Sequence, residues 1–334
     1  MRAITYDTYG SPQELSLHEV DAPVPESDQV LVRIRAASLN PFDWHLVRGE
    51  PYLMRPGMGL TKPKTTNTLG ADVAGEVIGV GEAVTGLAVG DAVFGSIGFG
   101  ACAEYVATKA TRLALKPASL SFEQAAALPM AGITALQALR DVAALEPGQR
   151  VLVNGASGGV GHLAVQIAKV LGAAHVTAVC SGNNIHMLKT LGADDVVDYT
   201  QDDFTAAGQW QVDARYDLIL DMIGNHRVRA LRRVLTPHGK IVIVGATADG
   251  KVLGPAAPLL RALIDGVFVS QKVLPSMNTT VNRADFEQLA QWADTGLLTP
   301  VIDRVFPLES TPDALRYVET GRVAGKVVVL VTDR

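Results

Sequence analysis

The reading starts from Val151-Leu152-Val153-Asn154-Gly155-Ala156-Ser157-Gly158-Gly159-Val160-Gly161-His162-Leu163-Ala164-Val165-Gln166-Ile167-Ala168-Lys169. Residues 151–153 form an apolar run that reads as a buried strand. A glycine-rich turn follows. Then Val160, Leu163, Ala164, Ile167, Ala168 and Leu171 recur at helical spacing, with His162, Gln166 and Lys169 on the other face. Strand, glycine turn and helix start in that order make a diphosphate cradle. The first N–H groups of a helix have no intrahelical partner, and the helix dipole favours an anion there. Glycines let phosphates approach the backbone and let the helix pack against the strand. A glycine turn by itself is also a common structural device. A second strand-like run at 175–180 supplies the context that favours a dinucleotide site.

The rest of the chain has room for a second domain. Its 334 residues suffice for two cores, and 48% hydrophobic content with 32 glycines suits an α/β protein. The net charge of −5 is scattered, with no basic run interleaved with aromatics, which argues against nucleic acid as a partner. Residues 1–7 read as a strand start and not as a signal peptide. Lys169, His175 and Asp265 break the most apolar windows, so no membrane span is expected. Cys102 and Cys180, the only two cysteines, make no disulfide framework, and a cytoplasmic setting is the simplest one.

Up to about residue 115 the chain reads as β-rich, with strand-like runs at 2–6, 15–19, 30–36, 74–80, 92–94 and 103–106 punctuated by prolines. Residues 47–68 show no clear period and read as a long loop of the kind that is often functional. From about residue 121 the pattern changes. Helical spacing at 122–128, 133–145, 185–191 and 228–235 alternates with strand-like runs at 151–153, 176–180, 195–198, 216–221 and 240–245. That alternation argues for a doubly wound parallel sheet. Residues 240–244 are apolar enough to form an exposed edge strand. Beyond about residue 266 come two helical stretches (286–293 and 314–320) and a closing apolar strand at 326–331. The expected domains are 1–120, 121–265, and 266–334 returning to the first.

Several motifs in the same order carry a family resemblance. They are Asn40-Pro41-Phe42-Asp43, Leu69-Gly70-Ala71-Asp72-Val73-Ala74-Gly75, Ala127-Leu128-Pro129-Met130-Ala131-Gly132-Ile133-Thr134-Ala135, Ala156-Ser157-Gly158-Gly159-Val160-Gly161 and Ala324-Gly325-Lys326-Val327-Val328. Together they resemble the medium-chain dehydrogenase/reductase superfamily, and within it the zinc-free quinone oxidoreductase (zeta-crystallin-like) branch. The resemblance implies a GroES-like β-rich domain, a Rossmann domain, and a cleft where nicotinamide meets substrate. It also implies a homodimer. Zinc members carry a catalytic Cys and a Gly-His-Glu motif. Here Asn40 and Gly70-Ala71-Asp72 stand in those places, and two cysteines cannot build a four-Cys lobe, so no metal is expected. Without a Lewis acid an unactivated ketone is a poor hydride acceptor, whereas quinones and enones need less help.

The expected activity is NADPH-dependent, zinc-independent hydride transfer to a quinone or an α,β-unsaturated carbonyl. Two alternatives stay open: an NADPH-binding sensor or structural protein with little turnover, and a zinc alcohol dehydrogenase-like enzyme. The expected cofactor residues begin with Ala156, Ser157, Gly158, Gly159, Val160 and Gly161. The second strand ends Cys180-Ser181-Gly182-Asn183-Asn184, with no acid to repel a 2′-phosphate. Ser181 and Asn184 can donate hydrogen bonds to that phosphate, or serve as turn and N-cap residues. The resemblance adds Tyr199 beside the phosphate, Thr134 near the nicotinamide, and Gly224, Gly245, Ala246, Gly325 and Lys326 along the dinucleotide. Relatives carry Lys or Arg where this chain has Asn184.

For chemistry, the Asn40 amide is the leading candidate to polarise a substrate carbonyl, against a plain turn-forming role before Pro41. His45 stands where relatives carry a tyrosine, and either donates a proton or lines the cleft. Asp43 orients its neighbours or is structural, and Tyr52, Arg48 and Arg55 either shape the pocket or lie on the surface. Tyr105 and Lys109 have the Tyr-x-x-x-Lys spacing of short-chain dehydrogenases. They precede the glycine turn instead of following it, and read as strand packing.

Overall fold

The structure is a computed structural model and describes residues 1–63, 67–206, 215–245, 270–276 and 279–331. Two compact units divide the chain, residues 1–133 with 280–334, and residues 134–279. These divisions differ from the sequence-derived ones. Residues 121–133 fall with the first unit because the helix Phe122–Ala126 packs on its strands Gln29–Leu39 and Asp72–Val80. Residues up to 279 fall with the second because Lys272–Pro275 adds a strand to its sheet.

In the first unit one sheet runs in the order Ile302–Pro307, Lys326–Leu330, Gln29–Leu39, Asp72–Val80, Ala92–Ser96, Leu113–Leu115, with Tyr105–Lys109 also paired to Gln29–Leu39. Its long strand alternates, burying Val30, Val32 and Ile34, and then runs fully buried from Ala36 to Leu39. The C-terminal strand joins it antiparallel, with Val327 opposite Leu39. On the other side Asp72 lies opposite Ser38, and Ser96 lies opposite Asp72. This register brings polar residues from distant parts of the sequence to one end of an apolar sheet. A smaller sheet pairs Ser16–Glu19, Arg2–Tyr6 and Asn67–Thr68.

Two helices begin at prolines that read as breaks in the sequence. Pro41–Arg48 starts directly after Asn40 and ends at Gly49, whose φ of 59° is left-handed. Pro129–Gln137 starts four residues before the expected helix and passes into a wider π turn, Ala138–Val142. Proline is well suited to the first helical turn, where its missing N–H leaves no bond unmade.

Among the described residues the second unit holds a six-stranded parallel sheet in the order Asp195–Asp198, His175–Cys180, Arg150–Asn154, Tyr216–Asp221, Leu235–Ile243, Lys272–Pro275. The order reverses beside Arg150–Asn154, the switch point where doubly wound sheets bind ligands at their carboxyl ends. Residues 240–244 are not an edge, because Lys272–Pro275 covers them. The helix Gly161–Val170 follows the glycine turn. Its expected polar face is not solvated: His162 is fully buried and Gln166 nearly so. Each satisfies itself locally. His162 Nδ1 lies 2.9 Å from the Gly158 carbonyl, and Gln166 donates to the His162 carbonyl at 2.9 Å.

Candidate functional site

The carboxyl edge of the parallel sheet collects most of the expected cofactor residues. Gly155 takes a φ of +82° to turn the chain out of its strand. A Cβ on Gly161 would come within 2.3 Å of the Gly155 carbonyl, so only glycine lets the helix start pack so close to the turn. Gly158 differs: a Cβ there would meet only the Gly155 carbonyl oxygen, at 3.5 Å, and would otherwise stand in open space. Ser157, Gly158, Gly159 and Val160 are partly exposed, whereas Ala156 is buried and donates its N–H to Val179. A tight glycine turn, open space over Gly158, and the first-turn amides of a ten-residue helix together fit a diphosphate.

At the switch point itself stands a group that the sequence reading missed. The buried Asn154 amide donates to Asp221 Oδ1 at 2.9 Å and to Asn225 Oδ1 at 3.0 Å. Asp221 Oδ1 also accepts from the Ile223 and Gly224 N–H groups, at 3.0 and 2.9 Å. This carboxylate folds the loop after the fourth strand and sets the left-handed Gly224 in place. Gly245 follows the fifth strand, where a Cβ would come 2.8 Å from the Met222 carbonyl. Thr134 lies in the helix Pro129–Gln137 with its hydroxyl 3.3 Å from that of Thr279. Ala246 lies outside the described residues.

Beyond the second strand, the Asn184 amide donates to Ser181 Oγ at 3.2 Å, and Tyr199 is 62% exposed. The strand end is not free of acid, however. Asp198 of the third strand lies opposite Cys180 in the parallel register. Hydrogen bonds from Thr200 hold the Asp198 carboxyl below the usual range, and its charge adds to burial in pushing the Cys180 thiol up to about 11.

The first unit holds the other expected residues, tied into one buried network. Asn40 Nδ2 donates to Asp72 Oδ2 at 2.9 Å and lies 3.5 Å from the Ser38 carbonyl. Lys326 Nζ donates to Asn40 Oδ1 at 2.5 Å and lies 3.6 Å from Asp72 Oδ2. The Met130 N–H, in the first turn of Pro129–Gln137, donates to Asp72 Oδ1 at 3.1 Å. Asp43 Oδ2 accepts the Asn40 N–H at 2.7 Å. Burial pushes Asp72 up and Lys326 down, each opposed by the charge of the other. Asn40 and Met130 donate to Asp72 and the Lys326 ammonium lies beside it, an arrangement that favours the charged carboxyl against the burial that opposes it. Asp43 is pushed up to about 7, chiefly by burial, and its Oδ1 has no hydrogen-bond partner.

This network bears on two of the expected site residues. Both hydrogens of the Asn40 amide already point at acceptors within the unit, so the group is not a free donor for a substrate carbonyl. Lys326, which the resemblance sets beside the dinucleotide, commits its ammonium to Asn40 and Asp72 and is 3% exposed. Its neighbour Gly325 takes a φ of +92° with a Cβ position 2.4 Å from the Val301 carbonyl. The network also does not suit a zinc ion. An ammonium already lies among the donors and repels a second cation, and among the described residues no group of three His, Cys, Asp or Glu side chains is placed to hold a metal.

His45, on Pro41–Arg48, stacks on Trp44 with centroids 3.6 Å apart. Its Nδ1 lies 2.9 Å from the Glu50 carbonyl, which can only accept, so Nδ1 carries the proton. Burial lowers its pKa, which keeps the ring neutral and leaves a lone pair at Nε2. The half-exposed Tyr52 carries the Arg55 guanidinium 4.1 Å above its ring, and Arg48 pairs with Glu319 at 2.5 Å. Lys109 pairs with Asp28 at 3.1 Å on a strand, so the Tyr105/Lys109 spacing is structural.

Comparison with known proteins gives the same architecture. Residues 26–118 match the family described as alcohol dehydrogenase GroES-like domain, and residues 191–329 match zinc-binding dehydrogenase. The chain is 35% identical to 2-methylene-furan-3-one reductase from Solanum lycopersicum, over 98% of this chain and 79% of that protein. It is 33% identical to the Arabidopsis thaliana NADPH-dependent alkenal/one oxidoreductase, chloroplastic, with the same two coverages. The solved quinone oxidoreductase from Coxiella burnetii superposes with a TM-score of 0.84 at 31% identity, over 99% of each chain.

Proposed function

The chain belongs to the medium-chain dehydrogenase/reductase superfamily, in its zeta-crystallin-like quinone oxidoreductase branch, and on that premise we propose an NADPH-dependent reductase of quinones and enones that works without zinc. Relatives are named for quinone, alkenal/one and enoyl reduction, and some of them for NADPH or NAD(P)H. The observation that carries the metal-free reading is the Asn40–Asp72–Lys326 network, which fills the place of a Lewis acid with an internal ion pair. Conjugated acceptors are the substrates that tolerate this loss.

When bound, reduced nicotinamide supplies a hydride. The residues of this chain hold and orient it. The amides of the glycine turn take the diphosphate, Gly224 and Gly245 leave room beside the switch point, and Ser181, Asn184 and Tyr199 offer donors to the adenosine ribose and its 2′-phosphate. Asn40 acts as a positioning residue, holding Asp72 against the Met130 N–H at the start of Pro129–Gln137. His45 accepts a hydrogen bond at Nε2 and gives no proton at neutral pH. The proton that completes reduction therefore comes from water.

The test is NADPH oxidation against a benzoquinone, a 2-alkenal, a cyclic enone and a saturated ketone, with NADH in parallel. Turnover of a quinone or enone and not of the ketone supports the reading. Equal turnover of the ketone, or stoichiometric zinc in the purified enzyme, overturns it. We also assign a homodimer that pairs the strands Lys272–Pro275, the last of the sheet among the described residues, with an expected mass of twice 35.2 kDa by light scattering. The cytoplasm remains our reading of the compartment, resting on two free, buried thiols. No helix among the described residues is long and apolar enough to cross a membrane.

A further inference from the structure

The second strand of the parallel sheet ends without an acid of its own, and the third strand brings one to the same place. Asp198 is in register with Cys180, the last residue of the second strand, and the Tyr199 N–H donates to the Cys180 carbonyl at 3.0 Å. The two strand ends are thereby locked side by side. The Asp198 carboxylate is not free to swing away. Its Oδ1 accepts from the Thr200 N–H at 3.0 Å and from the Thr200 hydroxyl at 2.7 Å. Its Oδ2 leans over Gly182, where a Cβ would come within 2.6 Å. A glycine at 182 is what lets the carboxylate reach across the end of the neighbouring strand. Ser181 and Asn184, the two donors expected at the ribose, flank that glycine.

The adenosine ribose of a dinucleotide docks at this strand end in doubly wound sheets, where an acid selects for free hydroxyls. No Lys or Arg stands between Ser181 and His186, or between Asp198 and Gln201, to balance the charge. We propose that Asp198 is a specificity-determining residue: its fixed negative charge opposes a phosphate on the adenosine 2′ position and restrains the preference of this enzyme for NADPH over NADH. This rests on the reading that Ser181, Asn184 and Tyr199 receive that phosphate. Asp198 then acts against them, and the enzyme uses both dinucleotides within a modest ratio.

The experiment measures the dissociation constants of NADP⁺ and NAD⁺ by titration calorimetry, for the wild type and for Asp198→Asn, at low and high potassium acetate. Asparagine keeps an acceptor for Thr200 and removes the charge. The ratio of the two constants cancels the shared diphosphate and isolates the 2′ position. The expected result is a shift of about tenfold towards NADP⁺ in Asp198→Asn. The wild-type preference for NADP⁺ should also rise with salt, because screening weakens repulsion. That rise should be absent in the variant. A ratio unchanged within twofold overturns the inference. So does a wild-type preference that falls with salt, since a cation would then hold the phosphate. The salt series on the wild type decides the matter by itself if the variant does not fold. A wild type that prefers NAD⁺, with a variant shifted tenfold, overturns the NADPH reading and leaves the role of Asp198 standing.

Discussion

Replacing Lys326 with methionine removes a charge of nearly equal length from a site that is 3% exposed. Asp72 Oδ2 lies 3.6 Å away, and at an effective dielectric constant of about 20 their attraction is ~5 kcal/mol before desolvation. The variant keeps three donors on Asp72, from Asn40, Ser96 and Met130, which soften the loss. It also strips Asn40 Oδ1 of its donor, a further ~1 kcal/mol. Breaking a buried pair from one side costs about 3–5 kcal/mol, and that is the destabilisation expected here. Trp44 and Trp292 lie in the first unit and Trp210 in the second, so urea unfolding followed by tryptophan emission in a Trp210→Phe background reports on the first. The double variant Asp72→Asn/Lys326→Met should recover at least half of the loss, because no buried charge is left alone. The deficit of Lys326→Met should also be smaller at pH 5 than at pH 8. Without its cation, Asp72 has a folded pKa further above the unfolded one, so stability falls as pH rises. A single variant within 1 kcal/mol of the wild type, or a double variant no more stable than the single, refutes the reasoning.

Asp43 tests the same network through pH. Its folded pKa of about 7 exceeds its unfolded 3.8, so its stabilising proton is fully effective below about pH 4 and lost as pH rises through 7, a swing of ~4 kcal/mol at most. Asp43→Asn should lose less stability than the wild type between pH 5 and pH 8 in urea midpoints; parallel curves would show that burial does not raise this carboxyl. Gly158→Ala places a methyl in the open space over the turn, so its melting temperature should hold while the NADPH dissociation constant rises at least tenfold; unchanged affinity would remove the diphosphate from this turn. His45→Phe keeps the stacking on Trp44 and loses the Nε2 acceptor together with the Nδ1–H bond to the Glu50 carbonyl, so some stability is lost while kcat at pH 7 should stay within threefold. A hundredfold fall would make the imidazole a proton donor after all.

What was legible in the sequence was whatever is local. The strand, glycine turn and helix of residues 151–169 lie in one continuous stretch, and period plus glycine spacing suffices to read them. The buried network was legible only in fragments. Asn40, Asp72 and Lys326 each sit in a quoted motif, yet their meeting depends on Leu39 facing Val327 and Ser38 facing Asp72. Pairing register leaves no trace in the spacing of residues along the chain. Asp198 escaped notice for the same reason, being eighteen residues from Cys180 in sequence and beside it in the sheet. The strand Lys272–Pro275 is only four residues long and half exposed, with no alternation to mark it, so residues 240–244 read as an edge. His162 and Gln166 read as polar because residue type does not reveal that a side chain can satisfy itself on its own helix.

The strand Lys326–Leu330 carries a consequence for how the chain comes into being. During synthesis the second unit is complete once residue 279 has emerged, whereas the first waits for its last strand. Until then Gln29–Leu39 has an unpaired apolar margin from Ala36 to Leu39, and Asp72 is without its cation. A nascent or prematurely ended chain is thus an adhesive object, with an open sheet margin of the kind that recruits other strands. Lys326 and its strand close that margin and neutralise that charge in the same event. Pairing of this strand and completion of the buried network are one step, and a molecule that has not been made to residue 330 lacks both.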